Sequence, residues 1–277
     1  MFDDLGGFPV TRRWPPKRAG VIQLYTLNTP NGVKASIMLE ECGLDYDAHR
    51  IDIGEAADQM TPEFLSLNPN NKIPAMIDPD GPDGAPMGLW ESGAILIWLA
   101  DKTGRFLPAA GAARYQTLQW LMFQMGGVGP MFGQLGFFHA YKGREIEDKR
   151  PRDRYVAESR RLLGVLDRQL DGREWITGDY SIADIAIAPW VNTLALVLLS
   201  PVAIRLLKDY DRQRRAGQEP VLDPAAIGVR NARLWEQIHA AYQQTGDLDR
   251  AMEHVADTAP DTRAITIVRG GPERGEG

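Results

Sequence analysis

The chain has one cysteine, Cys42, in 277 residues. A single thiol excludes an internal disulfide and any cysteine-built metal cluster, and it fits a reducing compartment. The histidines are equally sparse: His49, His139, His239 and His254 show no ligand spacing, so no metal site is expected. Positive charge is not in excess either, since 31 Lys and Arg stand against 37 Asp and Glu for a net charge of -6. That balance excludes non-specific binding to nucleic acid or to an anionic membrane surface, so any anionic ligand must be met locally. Long apolar runs are also missing. The longest, around Leu194 to Ile204, is broken by Ser200 and Pro201 and is too short to span a bilayer. Arg12-Arg13 has the form of a twin-arginine signal, but Trp14-Pro-Pro-Lys-Arg18 follows where an apolar stretch would be required. The chain therefore reads as cytoplasmic.

What is present is the composition of a soluble globular protein, 44% apolar and 25% charged, with room for one large or two ordinary domains. Residues 1–20, with Pro9, Pro15 and Pro16, show no apolar periodicity and read as an extended arm able to wrap a partner subunit. Val21, Ile22 and Leu24 then form a strand-like run. From Val33 the period changes to helical, through Ile37, Met38 and Cys42, and Gly43 supplies a stop. Between the two, Asn28, Thr29, Pro30 and Asn31 offer caps to a helix whose free N–H groups and positive dipole end suit an anion, including a thiolate. An ordinary strand-to-helix turn with a polar cap explains the same residues.

His49 to Ile53 alternates as a second strand. Thr61-Pro-Glu63 opens a short helical turn with Pro62 at its first position, and Pro74 starts a strand. The turn residues from Asp78 to Gly84 predict an antiparallel hairpin between Ala75–Asp78 and Met87–Trp90. Ile95, Leu96, Leu99 and Ala100 mark the buried face of the next helix, stopped by Gly104. The order strand, helix, strand, helix, strand, strand, helix is that of the thioredoxin-like α/β arrangement. It gives a first domain over 21–107, closed by the break at 108–113. Helical stripes follow at Leu118, Leu121, Met122 and Met125, and at Leu162, Leu163, Leu166 and Leu170. They indicate an all-α domain over 114–245. Ser181-Ile-Ala-Asp184 has the form of a capping box with Asp in place of Glu. Residues 246–277 read as a partly disordered tail, ending in Arg269-Gly-Gly-Pro-Glu-Arg-Gly-Glu-Gly277.

Six motifs together carry a family resemblance: Thr29-Pro-Asn-Gly32, Asn70-Asn-Lys-Ile-Pro74, Glu91-Ser-Gly-Ala-Ile95, Leu118-Gln-Trp120, Gly126-Gly-Val-Gly-Pro130 and Tyr180-Ser-Ile-Ala-Asp-Ile185. From about Val21 to Asn192 the chain resembles a bacterial Nu-class glutathione transferase, and beyond Asn192 the likeness fails. The resemblance implies a homodimer whose thioredoxin-like domain binds glutathione and is followed by a helical domain. It implies a glutathione-dependent disulfide reductase or transferase acting on a small disulfide or electrophile. A glutathione-binding regulatory or interaction protein of the same fold, with little turnover, is the alternative.

The resemblance also assigns roles. Thr29 and Asn31 would stabilise the glutathione thiolate in place of a protein cysteine. Glu91 and Ser92 would take the γ-glutamyl ammonium and carboxylate. Ile73 would pair its backbone with the cysteinyl segment beside a cis Pro74. Lys72 would meet the glycyl carboxylate, although water satisfies the same lysine, and Gln59 aligns with a contact position. Arg154 aligns with a glutathione-binding arginine, yet it serves equally as a surface residue beside Arg150, Arg152 and Arg160. Cys42 is read as a small buried apolar residue. The glycines of 126–133 are read as close helix packing. Tyr25 is either a site contact or a core residue, and Phe137, Phe138 and Tyr141 are candidates to line a substrate cleft.

Overall fold

The computed structural model of the chain describes residues 5–18, 20–194 and 240. Met1–Ala195 form one compact unit. Apart from Ala240, the expectations for 201–277, including the end of the helical region and the tail, lie outside the described residues.

Four strands build the sheet: β1 (Ile22–Thr26), β2 (Tyr46–Arg50), β3 (Ala75–Asp78) and β4 (Met87–Trp90), in the order β2-β1-β3-β4. β1 runs parallel to β2 and antiparallel to β3, which pairs antiparallel with β4. The helices of this part are α1 (Val10–Arg13), α2 (Pro30–Cys42), α3 (Pro62–Leu67) and α4 (Ser92–Thr103). This is the thioredoxin-like sheet expected from the pattern.

Side chains alternate across β1 and β3 because successive Cβ atoms point to opposite faces. Ile22, Leu24 and Met76 join α2 and α4 in one core, while Tyr25, Ala75 and Ile77 join Phe64 and Leu67 of α3 in another. Each large side chain removed from water in these cores contributes about 1.5–3 kcal/mol.

Two expectations are corrected. The second strand covers Tyr46–Arg50 rather than 49–53. The alternation of Ile51 and Ile53 favours the later frame, but the polar residues that face inward are satisfied there. Asp47 accepts from the Lys17 N–H at 2.8 Å, from the Arg18 N–H at 2.7 Å and from Arg18 Nε at 2.9 Å. Burial raises the Asp47 pKa, yet these donors win and hold it at about 2. His49 Nε2 pairs with Gln23 Oε1 at 2.8 Å.

The N-terminal segment is not extended throughout. Leu5–Gly7 form a 3-10 turn and Val10–Arg13 a helical turn. Leu5 and Val10 are buried against Tyr25, Ile51 and Ile77, with Phe8 and Trp14 packed alongside. Its scattered apolar residues cover the second face of the sheet, a role that helical or strand periodicity does not reveal.

The helical part carries α5 (Gly111–Phe123), a π-helical turn (Gln124–Val128), α6 (Gly129–Ala140) and α7 (Arg150–Leu170), followed by a helix over 182–194. Leu121, Leu162 and Leu166 are buried as the stripes imply, whereas Met122 and Leu170 are exposed. The Ser181–Asp184 cap forms: Asp184 Oδ2 accepts from the Ser181 N–H at 3.0 Å and from the hydroxyl at 2.9 Å. Asp184 Oδ1 also accepts the Ile176 N–H at 2.9 Å. The Ile182 N–H donates to the Phe106 carbonyl at 2.9 Å, and Ile182, Ile185 and Ala186 enter the core shared with α2 and α4. The last described helix is thereby fixed to the sheet.

Candidate active site

The site begins at the start of α2. Thr29 is the N-cap, extended at φ -128°, and its hydroxyl oxygen accepts the Gly32 N–H at 3.2 Å. Pro30 takes the first helical position, where its missing N–H costs nothing. Gly32 is demanded by space, because a Cβ there would collide with the Leu27 carbonyl and the Thr26 hydroxyl. The helix therefore starts tight against the end of β1 and presents Asn31 beside it.

A second helix start faces the first. Glu91 is the N-cap of α4 in a positive-φ conformation, φ 69°, costly for a residue other than glycine and held only where the surroundings over-determine it. Its side chain is exposed, within 3.5 Å of Asn70 Nδ2. Ser92 follows at the first position of α4 and is buried. Between the two starts lies the Ile73–Pro74 bond, which is cis.

Asn31, Ile73, Pro74, Glu91 and Ser92 line one cleft of about 390 Å³, with Lys72 on its rim. The opposite wall comes from the helical part: Met125, Gly129, Pro130, Gln134 and Trp190. A smaller cleft of about 280 Å³ shares Asn31, Lys72, Ile73 and Trp190 and adds Thr29 and Gln59. Gln59 Oε1 is buried without a hydrogen-bond partner among the described residues. Eight of the nine residues singled out from the sequence thus fall on two adjoining clefts. The ninth, Arg154, is exposed on α7, lines neither cleft, and faces Glu158 electrostatically.

The residue that the sequence reading missed is Lys34. It is fully buried at the cleft floor, where Nζ donates to Gln124 Oε1 at 2.6 Å and to Ser92 Oγ at 3.3 Å. Burial lowers its pKa from 10.5 to about 7, while the charge of Glu91 works in the opposite sense. No carboxylate lies within ion-pair distance of it among the described residues. The available signal was helical phase. Lys34 shares a face of α2 with Met38, four residues on, and a lysine on a buried face needs a partner.

Other candidates leave the site. Cys42 ends α2, about 16 Å along the helix from Asn31 at 1.5 Å per residue, and its Sγ lies 3.5 Å from the Thr103 hydroxyl. Tyr25 is a core residue stacked on His49 with centroids 4.8 Å apart, and burial pushes its phenol pKa up. Phe137 and Tyr141 are exposed, Phe138 stacks on Tyr155, and none of the three lines these clefts. Among the described residues no group of acidic, histidine or cysteine side chains is arranged to hold a metal. No described helix is long and apolar enough to cross a membrane.

Two helix starts and a buried ammonium suit anionic groups of a ligand, and the exposed Glu91 carboxylate suits a cationic one. Comparison with known proteins agrees. The profile of the glutathione S-transferase N-terminal domain matches residues 29–102. The chain is 48% identical to the disulfide-bond oxidoreductase YfcG of Escherichia coli over 174 residues, 62% of this chain and 80% of that one. A glutathione transferase from Pseudomonas putida, solved with glutathione disulfide bound, is 50% identical with a TM-score of 0.69, covering 90% of this chain and 97% of its own. A Pseudomonas fluorescens member solved with two glutathiones is 51% identical with a TM-score of 0.68, covering 88% and 97%.

Proposed function

Because the chain belongs to the glutathione transferase family, we propose that it is a glutathione-dependent disulfide-bond reductase with transferase capacity, using the thiolate of bound glutathione rather than a protein cysteine. The observation that carries this reading is the convergence of Asn31, Ile73, Glu91 and Ser92 on one cleft from which Cys42 is absent.

In this reading Ser92 and the first N–H groups of α4 take the γ-glutamyl carboxylate, with Glu91 on the ammonium. The Ile73 backbone pairs with the cysteinyl segment, and Lys72 meets the glycyl carboxylate. The sulfur then lies at the start of α2. Thr29 uses a lone pair for its cap, which leaves the hydroxyl proton for the sulfur, and Asn31 adds a second donor. Donors and the dipole end of a helix lower a thiol pKa. Gln59 extends the site along the smaller cleft, whereas Arg154 lines neither cleft.

The chemistry is two exchanges. A glutathione thiolate attacks one sulfur of the disulfide, forms a mixed disulfide and releases the first thiolate. A second glutathione thiolate attacks the glutathione sulfur of that mixed disulfide, giving glutathione disulfide and releasing the second. Two thiols are oxidised and one disulfide is reduced, so electrons balance without a metal or a further cofactor. The same reading takes the protein as a cytoplasmic homodimer, independent of membrane and nucleic acid, with a glutathione-binding domain over 21–107 and a helical domain over 114–245.

Turnover of hydroxyethyl disulfide with glutathione, measured beside calorimetric binding of reduced and oxidised glutathione, tests it. Turnover dependent on glutathione is expected. Binding without turnover would favour a regulatory protein of the same fold, and absence of binding would refute the reading altogether.

A further inference from the structure

Asn31 is a symmetric-looking amide, and one end of it is already spoken for. Its Oδ1 accepts the indole N–H of Trp190 at 3.0 Å. An indole nitrogen only donates, so the atom facing it must be the amide oxygen, and the orientation of the amide follows. The NH2 end is thereby turned away from Trp190. Both residues line the same two clefts. Resting on the reading of Asn31 as a donor to the ligand sulfur, we propose that Trp190 is a positioning residue: it holds the Asn31 amide so that Nδ2, not Oδ1, is offered to the thiolate.

The surroundings of Trp190 fit that task. It lies one turn or more beyond Ile182, Ile185 and Ala186, which anchor its helix in the core shared with α2, and the Ser181–Asp184 cap holds the helix start. The indole is also seated on α6. Gly129 and Gly133 lie four residues apart on one face of that helix, and a Cβ on either would meet the indole at 3.4 Å. At 133 a methyl would just touch the ring and a longer side chain would occupy its place, whereas at 129 a Cβ would also collide with Gln124 Nε2 at 2.7 Å. The glycines at 129 and 133 thus make a bed for one ring, and the ring acts on a residue 159 positions earlier.

Without the indole, an asparagine at a cleft presents either end. The wrong end places a carbonyl lone pair against a sulfur anion, which disfavours the charged form. Losing the Trp190 N–H therefore weakens thiolate stabilisation while leaving the γ-glutamyl subsite at Glu91 and Ser92 untouched.

Two replacements remove the N–H: Trp190→Phe, which also gives up part of the ring's packing, and benzothienylalanine at 190, which retains the bicyclic outline and so guards against a packing or folding defect. Ultraviolet thiolate absorbance of bound glutathione is titrated in each, and in Asn31→Ala and Asn31→Ala/Trp190→Phe. For the loss of one hydrogen bond to a charge-stabilising group, the bound thiol pKa should rise by roughly half to one unit. Turnover at neutral pH should fall about 3- to 10-fold, recovering at higher pH, with the KM for glutathione changed less than about twofold. Asn31→Ala should show the same rise, and the double variant no more than that. If Asn31→Ala raises the pKa and both Trp190 replacements leave it unmoved, the positioning role is overturned and the proposed function stands. If the double variant shifts further than Asn31→Ala, Trp190 acts by another route and the inference fails. If Asn31→Ala itself leaves the pKa unmoved, the donor role of Asn31 falls, and this inference with it.

Discussion

Replacing Lys34 by methionine isolates the charge at the cleft floor. The ammonium is fully buried, with Gln124 Oε1 and Ser92 Oγ as its oxygen partners and Met125 Sδ at 3.6 Å. A lowering of its pKa from 10.5 to about 7 corresponds to about 5 kcal/mol for keeping it charged in the fold, at about 1.4 kcal/mol per tenfold. Below pH 7 both the native and the unfolded chain carry the proton, and the full cost is present. Between about 7 and 10.5 the unfolded chain holds a proton that the native chain has released. Stability therefore rises with pH in that window, by up to about 1.4 kcal/mol per unit.

Methionine matches the stem of the lysine and removes the charge, but it leaves two buried acceptors without a donor, at about 1–3 kcal/mol each. The sign of the difference at pH 6 depends on that cost, but the stability of the variant relative to wild type should fall by about 3–4 kcal/mol from pH 6 to 9.5. Urea unfolding of the ligand-free protein across that range measures it. Stability curves that run parallel from pH 6 to 9.5 would refute the picture of an uncompensated buried ammonium. The same charge links binding to protons. A ligand carboxylate at Ser92 adds negative charge beside the ammonium and raises the Lys34 pKa, so binding of S-methylglutathione, which has no thiol proton to release, should take up a proton at pH 8. Calorimetry in buffers of different ionisation enthalpy detects that uptake in wild type and its loss in Lys34→Met.

Ser92→Ala should weaken glutathione binding by about 1 kcal/mol or more, because a charge-assisted hydrogen bond is lost; unchanged affinity in calorimetry would count against the γ-glutamyl placement. Thr29→Val should lower stability by about 0.5–2 kcal/mol as a lost cap and should also raise the pKa of bound glutathione; a lower melting point with an unmoved thiol titration would leave Thr29 as a cap alone. Cys42→Ala should retain most disulfide-reductase activity, and loss of activity in a folded variant would overturn a mechanism without protein thiols.

How much of this was legible beforehand depends on how far apart the interacting residues are. Thr29 and Thr61 as caps, Gly43 and Gly104 as stops, and the hairpin between β3 and β4 are local, and each matches its expected place. The frame of β2 was missed by about three residues, because it is set by partners elsewhere: Gln23 on β1, and the Lys17 and Arg18 backbone on the N-terminal segment. That segment departs from the extended arm expected of it for the same reason. Its apolar residues have no period of their own and make sense only against the sheet they cover.

The site divides along the same line. Thr29, Asn31, Ile73, Glu91 and Ser92 sit in short motifs, and their identities suffice to name the groups a ligand would meet. What those groups do depends on their direction, and direction is set from far away. Ser92 is held from Lys34 across 58 positions, Lys34 from Gln124 across 90, and Asn31 from Trp190 across 159. Gln124 opens the π-helical turn and Trp190 rests on two glycines of α6, so both controlling contacts come from the helical part. Donors in the sheet part and their orientation by the helical part are therefore separable by mutation. Changes at Trp190 or Gln124 should alter the thiol titration or its proton linkage more than glutathione affinity, whereas changes at Ser92 should do the reverse.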